Sequence, residues 1–167
     1  MTGLKMLKNP KLGRIAALAG SAALAAMAVP AQAAPAGCVG DTSGDSWINV
    51  EVAGLKNSNG YLTLTLYDDN SRKFLASGGS RDVVRVPAKA GMARTCLKLP
   101  GNGVWVIAIY HDEDKSRKIN RSGLGIPTEG FGFSNNPSTV AGLPTFRSVR
   151  LKVSKPGLTT RINVRYP

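Results

Sequence analysis

The chain has a single histidine, His111, which is the one side chain whose ordinary pKa lies near neutrality. It would act as a general acid or base if a carboxylate of Asp112, Asp114 or Glu129 oriented its ring. The alternative is a structural histidine at a strand end, which hydrogen-bonds and orders the backbone of the following loop. No nucleophile motif accompanies it, because the sequence around Ser134 is not a Gly-x-Ser-x-Gly turn and opens no helix. We favour the structural alternative and expect no catalytic residue.

The acidic run that begins at Asp112 resembles a calcium loop, in which oxygen-bearing side chains alternate along the chain. Its first, third, fifth and ninth positions correspond to Asp112, Asp114, Ser116 and Asn120. The pattern is incomplete, because Arg117 replaces the glycine of the sixth position and Gly123 replaces the glutamate of the twelfth. Glu129 would have to close the site from farther along. Calcium is therefore the alternative to a salt-bridged polar loop, and we expect no other cofactor.

These residues belong to a long segment, 111–143, without a periodic hydrophobic pattern. A loop of this length is uncommon in a compact domain and is often functional when it is ordered. Its large apolar residues are Leu124, Ile126, Phe131 and Phe133. We expect them to fold over the strand at 103–110, which is apolar on both faces and needs a second cover. The candidate binding residues of this segment are His111, Asp112, Glu129, Phe131, Phe133, Ser134, Asn135 and Asn136.

Most of the remaining chain alternates apolar and polar residues with a period of two, which is typical of β-strands. Further strands are predicted at 47–55, 61–67, 82–86, 93–99, 146–153 and 159–166. The first two of these flank Asn57-Ser58-Asn59-Gly60, whose turn chemistry predicts a hairpin. With no helical pattern, the chain is predicted to be all-β. We expect an immunoglobulin-like or transthyretin-like β-sandwich of about seven antiparallel strands, with a barrel as the alternative.

Basic residues occupy outward positions of the last two predicted strands. They are Arg150, Lys152, Arg161 and Arg165. If these strands pair, the basic side chains form a cationic stripe that would attract a polyanionic glycan. The alternative is that charged outer faces discourage aggregation between sheets.

The N-terminus has the pattern of an export signal. A positive stretch precedes the Ala-rich apolar run 15–29, and Ala31-Gln32-Ala33 is a small-x-small cleavage site. We expect a leader over 1–33, a linker over 34–45, one domain over 46–167 and no transmembrane segment after cleavage. Of 22 basic and 10 acidic residues, four basic ones belong to the leader, so the mature charge is +8. A periplasmic or secreted protein of this charge would meet an envelope protein or a polyanionic glycan rather than nucleic acid.

Two cysteines follow the leader. In an exported protein such a pair usually forms a disulfide, which here would join Cys38 to Cys96. The alternative is lipidation of Cys38, which follows the small pair Ala36-Gly37 but has Pro35 where the lipidation signal has leucine. We favour the disulfide.

Several of these pieces together resemble a known family. Tyr110-His111-Asp112, the motif EGFGFSNN at 129–136 and GLPTF at 142–146 are similar to the bacterial domain-of-unknown-function 2141 family. The resemblance covers about residues 46–167. It implies a small exported β-domain and no known reaction. The expected function is thus a non-enzymatic envelope module that presents the segment 111–143 to a partner.

Overall fold

A computed structural model describes residues 1–2, 33–138 and 143–167. The chain divides into a unit of Met1–Pro30 and a unit of Ala31–Pro167, and the second unit contains every element described below. The leader expected over 1–33 lies, apart from its ends, outside the described residues. Among the residues that are described, no helix is both long enough and apolar enough to cross a membrane.

The described residues form nine strands and one helical turn. The strands are β1 (Val39–Gly40), β2 (Ser46–Leu55), β3 (Tyr61–Asp68), β4 (Asp82–Pro87), β5 (Gly91–Leu99), β6 (Gly103–Asp112), β7 (Phe131–Phe133), β8 (Leu151–Val153) and β9 (Leu158–Asn163), and α1 is Phe146–Val149. Sheet A has the order β1-β5-β2-β9. Sheet B has the order β4-β3-β6-β7, and β8 also pairs with β6. The all-β prediction is confirmed, but two strand pairs, β1 with β5 and β9 with β2, are parallel.

The main core lies between the two sheets and is built from the alternate apolar residues of the long strands. Its buried members include Ile48, Val50, Val52, Leu62, Leu64, Leu66, Leu97, Leu99, Ile107, Ile109 and Ile162. Each such side chain contributes about 1.5–3 kcal/mol by leaving water. Period-two alternation in both sheets therefore supplies the two inner faces.

The predicted hairpin between 47–55 and 61–67 is wrong. β2 bonds to β5 and β9, whereas β3 bonds to β4 and β6. The chain crosses from one sheet to the other at residues 56–60, so the two strands face each other across the core. This crossing lets both apolar faces bury each other, which a flat hairpin would not do.

The prediction of a strand over 146–153 is also wrong in its first half. Residues Phe146–Val149 form a helical turn, because Phe146 and Val149 are three residues apart and pack together on the outer side of sheet B. The remaining strand β8 belongs to sheet B and β9 to sheet A, so the expected cationic stripe does not form. Arg150 instead pairs with Asp69, and Arg161 pairs with Glu51.

A disulfide joins Cys38 and Cys96, as predicted, with their Cα atoms 4.5 Å apart. The bond engages the Cys38 thiol that lipidation would require. The N-terminal segment forms β1, which extends the edge of sheet A beside β5. The bridge therefore fixes an edge strand of only two residues, which would otherwise have little to hold it.

The second face of β6 is covered by a smaller core on the outer side of sheet B. Its buried members are Tyr67, Val106, Phe133 and Val149. Phe131 and Phe133 take the expected covering position, whereas Leu124 and Ile126 are 87% and 49% exposed. The last two project outward because residues 121–127 form their own small hairpin, closed by a bridge between Arg121 and Pro127.

Candidate functional site

The pairing of β6 with β7 places two acidic residues opposite each other. Tyr110 pairs with Phe131, and the backbone N–H of His111 donates to the carbonyl of Gly130 at 2.8 Å. One further step along both chains brings Asp112 opposite Glu129. Their side chains are 0% and 5% exposed. Like charges directly opposite each other in a sheet are destabilising, so this arrangement needs compensation.

A third acidic residue joins this pair. Asp112, Asp114 and Glu129 each offer a carboxylate oxygen, and these atoms all lie within 4.8 Å of one another. We call these three residues the carboxylate cluster. The Ser116 hydroxyl donates to Asp112 Oδ1 at 3.5 Å, and the Asn120 amide donates to Asp114 Oδ2 at 2.7 Å. The fold thus collects all five residues that the sequence singled out as metal candidates.

Backbone N–H groups compensate part of the negative charge. Glu129 accepts from the N–H of Glu113 at 3.2 Å and from that of Asn120 at 3.0 Å, and Asp112 accepts from that of Arg117 at 3.1 Å. Arg117 adopts a left-handed backbone with φ of 63°. This conformation is unfavourable for a side chain larger than glycine, so the loop accepts strain where it wraps around the cluster.

The acidic groups of the cluster differ in their pKa shifts. Burial, and then the charges of Asp114 and Asp112, raise the pKa of Glu129, although its two N–H donors act against this. Hydrogen bonds from Asn120 and Ser116 lower the pKa of Asp114 to about 2. The cluster therefore holds negative charge at neutral pH.

The donor set of the cluster suits a hard cation. All its donors are oxygens from carboxylate, hydroxyl and amide groups, which calcium prefers. Asp114 is exposed, which leaves a route from solvent. The neighbouring Lys115 ammonium lies over the Tyr61 ring, 5.7 Å from its centroid, where it engages an aromatic face.

His111 points away from this cluster. Successive strand residues face opposite sides of a sheet, so Asp112 lies on the outer side of sheet B and His111 on the inner side. The ring is fully buried, and Nε2 lies 2.8 Å from the carbonyl oxygen of Asn59. A carbonyl only accepts, so Nε2 carries the proton and Nδ1 accepts from the Tyr166 hydroxyl at 2.7 Å. Both nitrogens are thus committed to the protein, and this geometry does not support catalysis by His111.

A protein-family model also matches this chain. The model of the family described as "Uncharacterized protein conserved in bacteria (DUF2141)" matches residues 50–161. The chain belongs to this family. A search of curated proteins and a search of solved structures found no match. The matched range of this DUF2141 chain includes His111, the whole carboxylate cluster and the Gly-Phe repeat that follows it.

The Gly-Phe repeat of the DUF2141 chain has a packing explanation. A Cβ on Gly130 would lie 2.4 Å from a ring carbon of Tyr166, and one on Gly132 would lie 2.7 Å from the carbonyl oxygen of Asn163. The glycines therefore face inward, where the end of β9 and the residues after it pass closely. Phe131 and Phe133 face outward into the second core.

The predicted binding residues at 134–136 bind the protein's own backbone. The Ser134 hydroxyl is buried and donates to the carbonyl of Val149. The side-chain amides of Asn135 and Asn136 donate to the carbonyls of Arg150 and Arg161 at 2.7 Å and 2.8 Å. These side chains tie the end of β7 to the end of α1 and to β9, so they hold the fold together. The sequence predicted that these residues form turns, but it did not show their hydrogen-bond partners, which lie far away along the chain.

The DUF2141 fold creates a surface outside sheet B that no local sequence pattern indicates. The register aligns Val83, Thr65, Ala108 and Phe133 in one row across β4, β3, β6 and β7. Beside this row lies a cavity of about 230 Å³, lined by residues that include Tyr67, Tyr110, Arg121, Phe131 and Phe133. These residues come from four separate segments, and only the strand register brings them together.

Proposed function

We propose that this protein is an exported, non-enzymatic binding module of the bacterial envelope. Its binding surface is the outer side of sheet B together with the segments that cover it, which we call the cover face. One observation carries the proposal. The large apolar side chains exposed in the described part of Ala31–Pro167 are Leu75, Val83, Leu124, Ile126 and Leu143, and they gather around this face.

The positions of these five side chains follow from the contacts of the face. Leu75 and Leu143 line the cavity, and Val83 pairs with Thr65, which also lines it. Leu124 and Ile126 lie on the small hairpin whose ends, Arg121 and Pro127, line the same cavity. Exposed apolar side chains that are grouped on one side of a domain often mark an interaction site.

The outer side of sheet A offers a contrast. Its centre carries Glu51 between Arg94 and Arg161, at 3.1 Å and 2.8 Å. Charged side chains in such a ladder favour water. The two outer sides thus differ in polarity, which favours the cover face as the side that meets a partner.

Export is supported by two features. The N-terminal pattern is that of a leader, and the disulfide between Cys38 and Cys96 suits an oxidising compartment such as the periplasm or the exterior. A non-enzymatic role is supported by His111, whose two ring nitrogens are engaged inside the fold.

Sedimentation of the mature protein with purified envelope fragments tests this proposal. Leu124→Ser combined with Ile126→Ser removes apolar surface from a hairpin that contributes little to the core, so the fold should persist. We expect the fraction of this variant that sediments with the fragments to be at least tenfold smaller than that of the wild type. The control, Thr42→Ser with Thr159→Ser, also changes two exposed residues to serine and should sediment as the wild type does. Equal sedimentation of all three proteins would contradict the proposal.

A second function, a calcium-stabilised module, is favoured by the convergence of Asp112, Asp114 and Glu129 within 4.8 Å. Calcium would neutralise the opposed carboxylates and fix the segment between Asp112 and Glu129. Titration calorimetry and thermal unfolding at millimolar calcium test it. We expect heat of binding and a higher melting temperature in the wild type and in Asp45→Asn, an exposed control, but not in Asp114→Asn. No heat and no temperature shift in the wild type would exclude this function.

A further inference from the structure

The cavity in the cover face, which we call the cover pocket, has walls suited to a small organic ligand. Its volume is about 230 Å³, somewhat below the 300–1,000 Å³ of pockets for drug-sized molecules. Phe131, Phe133 and Ala108 form an apolar floor. A short acyl chain or a single aromatic ring matches this size.

Two phenol groups, one from buried Tyr67 and one from half-buried Tyr110, add polar atoms to the pocket lining. Tyr67 is only 7% exposed, lines the pocket, and has no hydrogen bond from its hydroxyl to any residue that the structure describes. Tyr110 also lines the pocket, and its hydroxyl likewise lacks a partner within 33–138 and 143–167. Both hydroxyls can therefore donate a hydrogen bond to a ligand that enters the pocket.

The charge that lines the pocket is positive. Among the described residues that line it, Arg121 is the one charged residue and none is a carboxylate. Its Nη1 donates to the carbonyl of Gly125 at 2.8 Å, and it forms no ion pair within the described ranges. The other guanidinium nitrogens are therefore free to donate to an anion.

We propose that the cover pocket binds a small amphipathic anion, in which a short acyl chain or aromatic ring is joined to one carboxylate or phosphate. The apolar part lies on the phenylalanine floor, and the anionic end meets Arg121 and a phenol hydroxyl. This inference rests on the proposed function and names the chemistry that the cover face recognises. Such a ligand would be either a free acid or the acyl chain of an anionic envelope lipid.

Titration calorimetry of the mature protein with octanoate tests the inference, with octanol and octylamine as neutral and cationic probes. The variant Thr65→Phe fills the pocket from β3, where an aromatic residue suits the strand. The control Thr159→Phe makes the same change on the outer side of sheet A. We expect saturable octanoate binding in the wild type and in the control, and none in Thr65→Phe.

The variant Arg121→Gln tests the charge. It should weaken octanoate about tenfold and leave octanol unchanged, whereas Lys155→Gln, in the exposed turn before β9, should alter neither. Octylamine that binds as tightly as octanoate would overturn the anionic preference. Absence of saturable octanoate binding, or equal binding by Thr65→Phe, would overturn the pocket itself.

Vesicles distinguish the two sources of the ligand. Phosphatidylglycerol vesicles that sediment the wild type but not Thr65→Phe would indicate a membrane lipid, and octanoate binding without sedimentation would indicate a free acid. Failure of the pocket is separable from failure of the proposed function. If octanoate does not bind but Leu124→Ser with Ile126→Ser still weakens envelope sedimentation, the cover face binds a partner without using the pocket.

Discussion

The Tyr166 hydroxyl donates a 2.7 Å hydrogen bond to Nδ1 of His111, which lies 55 residues earlier in the chain. The same hydroxyl accepts from the backbone N–H of Lys56 at 3.1 Å, and the other nitrogen of His111 donates to the carbonyl of Asn59. One histidine thus connects the crossing at 56–60, the end of β6 and the C-terminus. This arrangement explains a buried histidine without catalysis.

Tyr166→Phe should destabilise the protein by about 1–3 kcal/mol, because a buried imidazole nitrogen loses its donor. The loss should appear as a lower urea midpoint with an unchanged slope. Tyr61→Phe is the matched control, since no hydrogen bond of the Tyr61 hydroxyl occurs within the described residues, and its effect should stay within about 0.5 kcal/mol. Equal midpoints for both variants would show that the hydrogen bond contributes nothing.

Gly132→Ala should lower the melting temperature, because the new Cβ would lie 2.7 Å from the Asn163 carbonyl oxygen and 2.9 Å from Ile162 Cγ2. A core that is overpacked in this way typically loses about 1–3 kcal/mol. Gly123→Ala is the control, because its Cβ would meet no atom within 4 Å. Thermal unfolding followed by circular dichroism measures both. If Gly132→Ala melts with the control, β7 does not pack against the C-terminal segment as described.

Replacement of both cysteines, Cys38→Ser with Cys96→Ser, should cost about 2–4 kcal/mol, chiefly by relaxing a constraint on the unfolded chain. Urea unfolding of this variant should match that of the reduced wild type. Hydrogen exchange should also rise at β1, which depends on the bridge for its place beside β5. Wild-type stability in the variant would argue against a structural role for the bridge.

Stability should fall in acid through Glu51. Arg161 first, and then Arg94, lower the pKa of this carboxyl below its ordinary 4.5. A carboxyl whose pKa is lower in the folded state stabilises the protein above its unfolded pKa, and this contribution disappears as the pH falls through the folded pKa. The difference between wild type and Glu51→Gln should therefore be present at pH 7 and absent near pH 2. It should also shrink in molar salt, because the ladder is exposed. A difference that does not change with pH would exclude this origin.

The strands and the buried residues of the core could largely be predicted from the sequence. Alternation in Ile48–Val50–Val52 and Leu62–Leu64–Leu66 shows which side chains are buried, and both groups are buried. Alternation does not show which strand lies beside which, so the pairing of β2 with β3 was predicted wrongly. Turn residues at 57–60 permit a crossing between sheets as readily as a hairpin.

In the candidate site too, local spacing was predictable from the sequence and strand register was not. Local spacing grouped Asp112, Asp114 and Ser116, but the position of Glu129 depends on the register between β6 and β7, which no local pattern contains. The sequence placed His111 beside these carboxylates, although consecutive strand residues face opposite sides of a sheet. The pocket residue Tyr67 was not recognised because its neighbours come from distant segments.

The proposed function requires that the cover face, and not the outer side of sheet A, meets the partner of this domain. Hydrogen exchange of the mature protein with and without envelope fragments measures this most directly. We predict that exchange slows at residues 119–127 and around Leu75 when envelope fragments are added, and that β9 is unchanged. Protection at β9 with no protection at 119–127 would contradict the account.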